Sequence, residues 1–215
     1  MDITSQMVKE LREKTGAGMM DCKKALVESA GNLEAATDYL RKKGLASAQK
    51  KADRIAAEGM IGHYIHNGDK VSVLLEVNCE TDFAAKSDAF RALVKDIAMH
   101  ICAMNPSYVR RDEVPSDVLE REKEIARAQV PAGKPANAIE KIVEGKLGKF
   151  FENSCLYDQP FVKDDKQTVE QAINGLIAKI GENVRVRRFV RFVTGEGMEK
   201  RSTDLAADVR AALGE

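Results

Sequence analysis

The sequence predicts an α+β protein: a three-helix module, a helical linker, and a body of helices packed on an antiparallel sheet. Three observations carry this. Residues 1–44 hold three short runs with apolar residues at helical spacing, separated by turn residues. After Gly59 the pattern changes to β-rich runs on either side of Asn67-Gly68, the strongest local hairpin signal. Long helical stripes then lead to one further strand-like stretch, 184–193. The expected division is a helical module over 1–44, a linker over 45–58, and an α+β body over 59–215 that ends in a helix from Asp204 to Leu213.

In the first module, Ile3, Met7, Val8 and Leu11 recur at helical spacing behind Thr4 and Ser5, and Thr15-Gly16-Ala17-Gly18 ends the run. A second helix is expected from Met19 to Ala30. Asn32 can cap a third, carrying Leu33, Ala36, Tyr39 and Leu40 up to Gly44. So small a bundle buries little area, which suits a docking role. Met19 and Met20, beside the Gly-Ala-Gly turn, fit either an adaptable contact surface or core filler. Leu45 to Glu58 is rich in Ala, Lys and Gln with a thin apolar stripe, and reads as a helical linker. Lys42, Lys43, Lys50, Lys51 and Arg54 read as a solvated face, although such charges can also meet phosphate.

The second strand of the hairpin, from Lys70 to Val77, delivers the chain into Val77-Asn78-Cys79-Glu80-Thr81-Asp82-Phe83-Ala84. A strand-to-helix junction holds side chains at the rim of a scaffold, where binding groups tend to sit. Read locally, Thr81 or Asp82 caps the following helix and Phe83 packs into the core. From Ala84 onward Phe90, Leu93, Val94, Ile97, Ala98, Ile101 and Met104 trace one helical stripe before Pro106. His100 falls off that stripe by one residue and is expected to be exposed near the helix end. His63 and His66, three apart on a strand, point to opposite faces and make a poor metal pair.

A loop to Pro115 precedes a helix capped by Ser116, and Pro131-Ala132-Gly133-Lys134-Pro135 breaks it. Ala136 to Phe151 is a further amphipathic helix, and Cys155 to Lys163 a short extended piece broken by Pro160. Thr168-Val169-Glu170-Gln171 fits a capping box and opens a helix that Gly181 closes. In 184–193 strict alternation would put Val184, Val186, Val190 and Phe192 on one face. Arg185, Arg187, Phe189 and Arg191 would share the other, with Arg188 intruding on the apolar side. Arginine interleaved with aromatics can bind single-stranded nucleic acid. A strand with a charged outer face explains the same residues.

Lysine plus arginine number 34 and aspartate plus glutamate 34 in 215 residues, so no net field draws the chain to nucleic acid or to an anionic membrane. No run approaches the roughly 20 apolar residues of a membrane span, and Met1-Asp2-Ile3-Thr4 does not open a signal peptide; a cytoplasmic location is expected. Cys22, Cys79, Cys102 and Cys155 lie far apart without a Cys-x-x-Cys, so buried free thiols are expected and neither zinc nor a disulfide framework. Gly16-Ala17-Gly18 does not complete a dinucleotide loop, and no phosphate loop or nucleophile elbow is present. With no catalytic group, metal or cofactor signalled, the residues describe a binder before an enzyme. A small enzyme using Cys79 or His100, and a nucleic-acid module using the lysine-rich linker and the arginine strand, are the rival readings.

Two long signatures, Leu11-Arg12-Glu13-Lys14-Thr15-Gly16-Ala17-Gly18-Met19-Met20-Asp21-Cys22-Lys23-Lys24-Ala25-Leu26 and Glu76 through Ala84, closely resemble the bacterial translation elongation factor Ts family. The resemblance continues through Ile97-Ala98-Met99-His100, Gly133-Lys134-Pro135, Val143-Glu144-Gly145-Lys146, Gln159-Pro160-Phe161-Val162 and Gly195-Glu196-Gly197-Met198-Glu199-Lys200. It implies a UBA-like N-terminal bundle and a guanine-nucleotide exchange factor for elongation factor Tu that binds the GDP-bound form and promotes GDP release. It assigns disturbance of that partner's magnesium and phosphate site to Thr81, Asp82, Phe83 and Ala84, with Phe83 as an exposed wedge. Arg12, Met19, Met20 and Lys23 are expected to grip the partner's nucleotide domain, and His100 to offer a further contact. The length resembles the short form, in which one compact body replaces the duplicated core and helical protrusion of longer relatives. A homodimer, or a two-plus-two complex with the partner, is therefore expected. Leu205 stands where many relatives have phenylalanine, so no terminal-helix contact is carried over.

Overall fold

The computed structural model describes residues 3–131 and 134–199; the helix expected from Asp204 to Leu213 lies outside them. Three helices come first: α1 (Ser5–Thr15), α2 (Met19–Glu28) and α3 (Leu33–Gln49). A hairpin of β1 (Glu58–Ile65) and β2 (Val71–Cys79) leads to α4 (Asp82–Lys86), α5 (Asp88–Met104), α6 (Ser116–Ala128) and α7 (Ala136–Ser154). A small hairpin of β3 (Pro160–Phe161) and β4 (Asp164–Thr168), then α8 (Val169–Ile180) and β5 (Val184–Val193), complete the described chain. The expected α+β class, with a helical bundle ahead of an antiparallel sheet and its helices, is what the structure shows.

The bundle starts and stops where its polar residues dictate. Thr4 Oγ1 accepts the Met7 N–H at 3.3 Å, and Asn32 Oδ1 accepts the N–H groups of Glu34 and Ala35, both at 3.0 Å. Gly16 ends α1 in the left-handed region at φ +68°. Leu11, Cys22, Ala25, Leu26 and Ala36 form a core of the module's own.

Gly44, read as the end of the third helix, instead lies buried inside α3. The helix runs on to Gln49, and only then does the chain pass through turns to β1, so the helical linker expected to Glu58 is shorter than its composition suggested. The glycine costs about 1 kcal/mol of helix propensity. It lies where α3 crosses α8, and a Cβ there would meet the Cβ of Ala178 at 3.5 Å, an ordinary packing distance. Arg41, one turn earlier, reaches Gln171 Oε1 on α8 at 2.9 Å.

The body's sheet has the order β1-β2-β5, antiparallel throughout. One face carries Val73, Leu75 and Val77 against Phe90, Ile97 and Ile101 of α5 and Ile173 of α8. The single stripe expected from Ala84 is two helices. Ser87 divides them, donating its hydroxyl to Ala84 O at 2.7 Å and accepting the N–H of Phe90 at 3.3 Å.

Strict alternation fails in β5. Glu76 pairs with Arg188 and the next residue, Val77, with Val186, which leaves Arg187 as the extra residue of a bulge. One inserted residue exchanges the faces of all that follow. Phe189 therefore packs on the core, while Val190 and Phe192, assigned to the apolar inner face by counting, point outward and are exposed. The bulge also resolves the intruding Arg188, which lies on the outer face beside Glu76.

The expectation of a compact body without a helical protrusion is corrected by α6 and α7. They pack mainly on each other, each with a single buried residue, Ala126 and Val143. They join the body at their base, where Arg111 lies over the Phe151 ring and Tyr108 bridges Cys155. The stretch expected to be extended from Cys155 holds a helical turn at 156–158 before the β3–β4 hairpin.

Candidate contact surface at the Thr81–Phe83 tip

Strand β2 ends at Cys79, and Thr81 then takes an extended backbone at φ −130°, ψ 156° as the N-cap of α4. Its hydroxyl accepts the Ala84 N–H at 3.2 Å. The cap half of the local reading is thus observed. The other half is not: Phe83 is 82% exposed, and it is Ala84 and Ala85 that are buried against the body. At five residues α4 exposes its ring on one side and buries two methyl groups on the other, so the aromatic stands at the end of a short, anchored tip.

Asp82 shares the exposed side. Its carboxylate accepts from Lys86 Nζ at 2.6 Å, and that bond holds its pKa below the usual carboxylate value. Both partners are open to water, so the pair contributes little to stability and can be exchanged for other partners.

Beneath the tip, the Cys79 thiol is buried and donates to Thr81 O at 3.1 Å. Burial pushes its pKa up, and Cys155 is raised to about 11 for the same reason. A buried thiol held as a hydrogen-bond donor is far from a reactive thiolate. His100, expected on the surface, is instead completely buried, and both ring nitrogens are engaged, Nε2 with Gln159 Oε1 at 2.9 Å and Nδ1 with the Val162 N–H at 3.2 Å. The apolar stripe predicted for α5 is wider than counting allowed, because the β3–β4 hairpin covers the face on which His100 sits. An open cleft of about 560 Å³ between α3, α8 and the start of β5 has no serine, cysteine or histidine among the described residues that line it. Among the described residues no group of three His, Cys, Asp or Glu side chains could hold a metal ion, and no helix is long and apolar enough to cross a membrane.

The helical module presents a second surface. Met19 is 59% and Met20 76% exposed, and Lys23 follows on the same side of α2 with Arg12 exposed on the last turn of α1. The methionines are therefore surface and not core filler. Val27, also exposed, extends the apolar stripe one turn beyond Lys23. Sequence reading missed it, although its spacing of seven from Met20 was the available signal.

The lysine-rich linker and the arginine strand do not form one basic surface. Lys43 pairs with Asp21, Arg54 with Glu80, and Arg187 and Arg188 both with Glu76, while Arg191 Nε donates to Cys102 O at 3.3 Å. Two acidic residues beside the tip, Glu80 and Glu182, were also missed. Glu80 directly precedes Thr81, but nothing in the sequence places Glu182, 101 residues on, beside it.

The family model described as Elongation factor TS matches residues 2–196. The chain is 62% identical over 215 residues to the Elongation factor Ts of Geobacter sulfurreducens and 60% identical to that of Geobacter metallireducens, with 100% of each chain covered in both cases. It is 59% identical over 213 residues to the Elongation factor Ts of Desulforamulus reducens, covering 99% of this chain and 98% of the relative. With the family model matching residues 2–196 and identity at this level over the whole length, this chain belongs to the elongation factor Ts family.

Proposed function

We propose that the protein is a guanine-nucleotide exchange factor that binds the GDP-bound form of elongation factor Tu and drives GDP release by disturbing its magnesium and phosphate site. The observation that supports this reading is Phe83, 82% exposed at the end of a braced five-residue helix. An aromatic in water on a rigid support is disposed to enter a pocket of another molecule. Burying it there supplies roughly 25 cal/mol per Å² over about 150 Å², or about 4 kcal/mol. Coupling between two ligands of one protein is reciprocal, so a factor that weakens the nucleotide is itself weakened by it. Such a factor needs an interfering surface and no bond-making chemistry. Asp82, once released by Lys86, offers acceptors that compete for the groups holding the ion. Thr81 and Ala84 belong to the same tip as its cap and its anchor. Arg12, Met19, Met20 and Lys23 grip the nucleotide domain, and the buried His100 acts on the partner only through the hairpin it supports. A stopped-flow measurement of fluorescent GDP release tests the reading: Phe83→Ala combined with Asp82→Ala should slow release more than about tenfold in a folded protein, and unchanged release would refute it.

The protein also pairs with a second copy of itself through the outer face of the sheet. Ile61, Ile65, Leu74, Val190 and Phe192 are all exposed there, with Leu74 opposite Val190 and Ser72 opposite Phe192. At one end of that face Glu76 offsets one of the two positive charges of Arg187 and Arg188, and the apolar residues beyond it carry no charge of their own. A two-fold pair of such sheets would interleave these side chains as in a sandwich core. Sedimentation of the wild type as a dimer and of Leu74→Arg as a monomer is the expected result; a monomeric wild type at micromolar concentration refutes it. The commitment of the arginine strand to Glu76 and Cys102 favours this reading over nucleic-acid binding by the same strand.

A further inference from the structure

The tip is tied to the turn between α8 and β5 by carboxylates running in both directions. Glu182 accepts the Thr81 backbone N–H at 3.0 Å and the Thr81 hydroxyl at 2.7 Å. That hydroxyl also accepts the Ala84 N–H. One hydroxyl has a single hydrogen and two lone pairs, so it caps α4 and donates to Glu182 at the same time. In the other direction Glu80 accepts the Asn183 N–H at 2.6 Å and pairs with Arg54 at 3.5 Å. Asn183, buried, sends its amide to the carbonyl oxygens of Ala52 and Arg54 at 3.2 and 2.8 Å.

We propose that Glu182 is a positioning residue of the exchange tip: by holding both donors of Thr81 it sets the direction in which Phe83 projects. The proposal rests on the exchange reading of Phe83. A helix of five residues does not hold itself, and the exposed ring makes no packing that could orient it. Orientation comes from the two buried alanines on one side and from Thr81 on the other. The Glu80–Asn183 half of the brace fixes the same tip to the turn after α3, and so to the helical module. The chemistry also specifies the cap residue. An aspartate at position 81 would cap α4 equally well but would face Glu182 with a second carboxylate and no hydrogen to give.

The test compares Glu182→Ala, Glu182→Gln, Thr81→Asp and Thr81→Ser, with Phe83→Ala as reference, in GDP release from purified elongation factor Tu over a range of factor concentrations. A misdirected wedge should lower the release rate at saturating factor about tenfold and leave the half-saturating concentration within about twofold, since the gripping surfaces are intact. Glu182→Ala and Thr81→Asp should both behave so. Thr81→Ser, which keeps donor and acceptor, should recover most of the rate, and Glu182→Gln, which keeps one of the two acceptor oxygens, should fall between Glu182→Ala and the wild type. The proposal is overturned if Glu182→Ala and Thr81→Asp keep the saturating rate while Phe83→Ala loses it, or if the loss appears only in the half-saturating concentration. Should Phe83→Ala itself release GDP at the wild-type rate, it is the exchange reading that fails.

Discussion

His100 Nε2 meets Gln159 Oε1 at 2.9 Å inside the body, and both side chains are buried. The second ring nitrogen receives the N–H of Val162, and a backbone N–H can only donate, so Nδ1 is bare and the proton sits on Nε2. Gln159 completes the arrangement by donating its amide to Asn153 O at 2.8 Å. The imidazole is neutral in the fold, and burial holds its pKa below the usual histidine value, with the bond to Gln159 opposing that shift.

This fixes the sign of a pH effect. The unfolded chain takes up the proton near pH 6.5 and the folded chain only at lower pH, so the unfolded state carries more protons in between. The stability from His100 is complete above about pH 6.5 and falls as the pH drops below it. Urea midpoints should be level from about pH 8 to 7 and decline toward about pH 5, and His100→Gln should flatten that decline. His100→Ala should cost about 3 kcal/mol at neutral pH, because it leaves a cavity and two unpartnered buried groups.

Glu76 should titrate well below the usual carboxylate range. Hydrogen bonds from Arg187 and Arg188 are the main causes that take its pKa to about 2. With the folded value below the unfolded one, its contribution is present above about pH 4.5 and is lost as the pH falls through about 2. A carboxyl resonance that shifts near pH 2 in the wild type, and at higher pH in Arg188→Ala, is the expected outcome.

Gly59→Ala should destabilise the sheet by about 3 kcal/mol or more. The residue sits at φ +144°, where only glycine is at ease, and an added Cβ would overlap the carbonyl oxygen of Val77 on the paired strand. Thermal melting of the purified variant reads this directly, and an unchanged melting temperature would contradict the strand pairing.

Met20→Asp, alone or with Met19→Asp, should raise the half-saturating factor concentration in nucleotide release about tenfold and leave the saturating rate alone. That pattern is the reverse of the one expected at Glu182, so a single assay separates grip from distortion.

Local chemistry was legible where a residue acts within a few positions of itself. The Thr168–Gln171 capping box, the Asn32 cap and the Asn67-Gly68 hairpin all stand where the sequence puts them. What the sequence could not show depends on distant partners. The β5 bulge is visible only against β2, so counting put Val190 and Phe192 on the wrong face. His100 is buried by a hairpin whose Val162 lies 62 residues away, and Gly44 is a crossing point for α8 and not a helix end. At the tip, the cap could be read from Thr81 itself. The exposure of Phe83 came from family resemblance, and the Glu182 brace from neither, since it joins turns 101 residues apart.

The unbroken course of α3 through Gly44 has a mechanical consequence. Because one helix begins in the methionine-faced module and ends at the turn tied to the tip, the separation and angular phase of the two are those of a rigid rod. A residue inserted anywhere along it would advance one end by about 1.5 Å and rotate it by about 100° relative to the other. The exposed methionines and Phe83 are therefore held at one fixed span, like the jaws of a caliper.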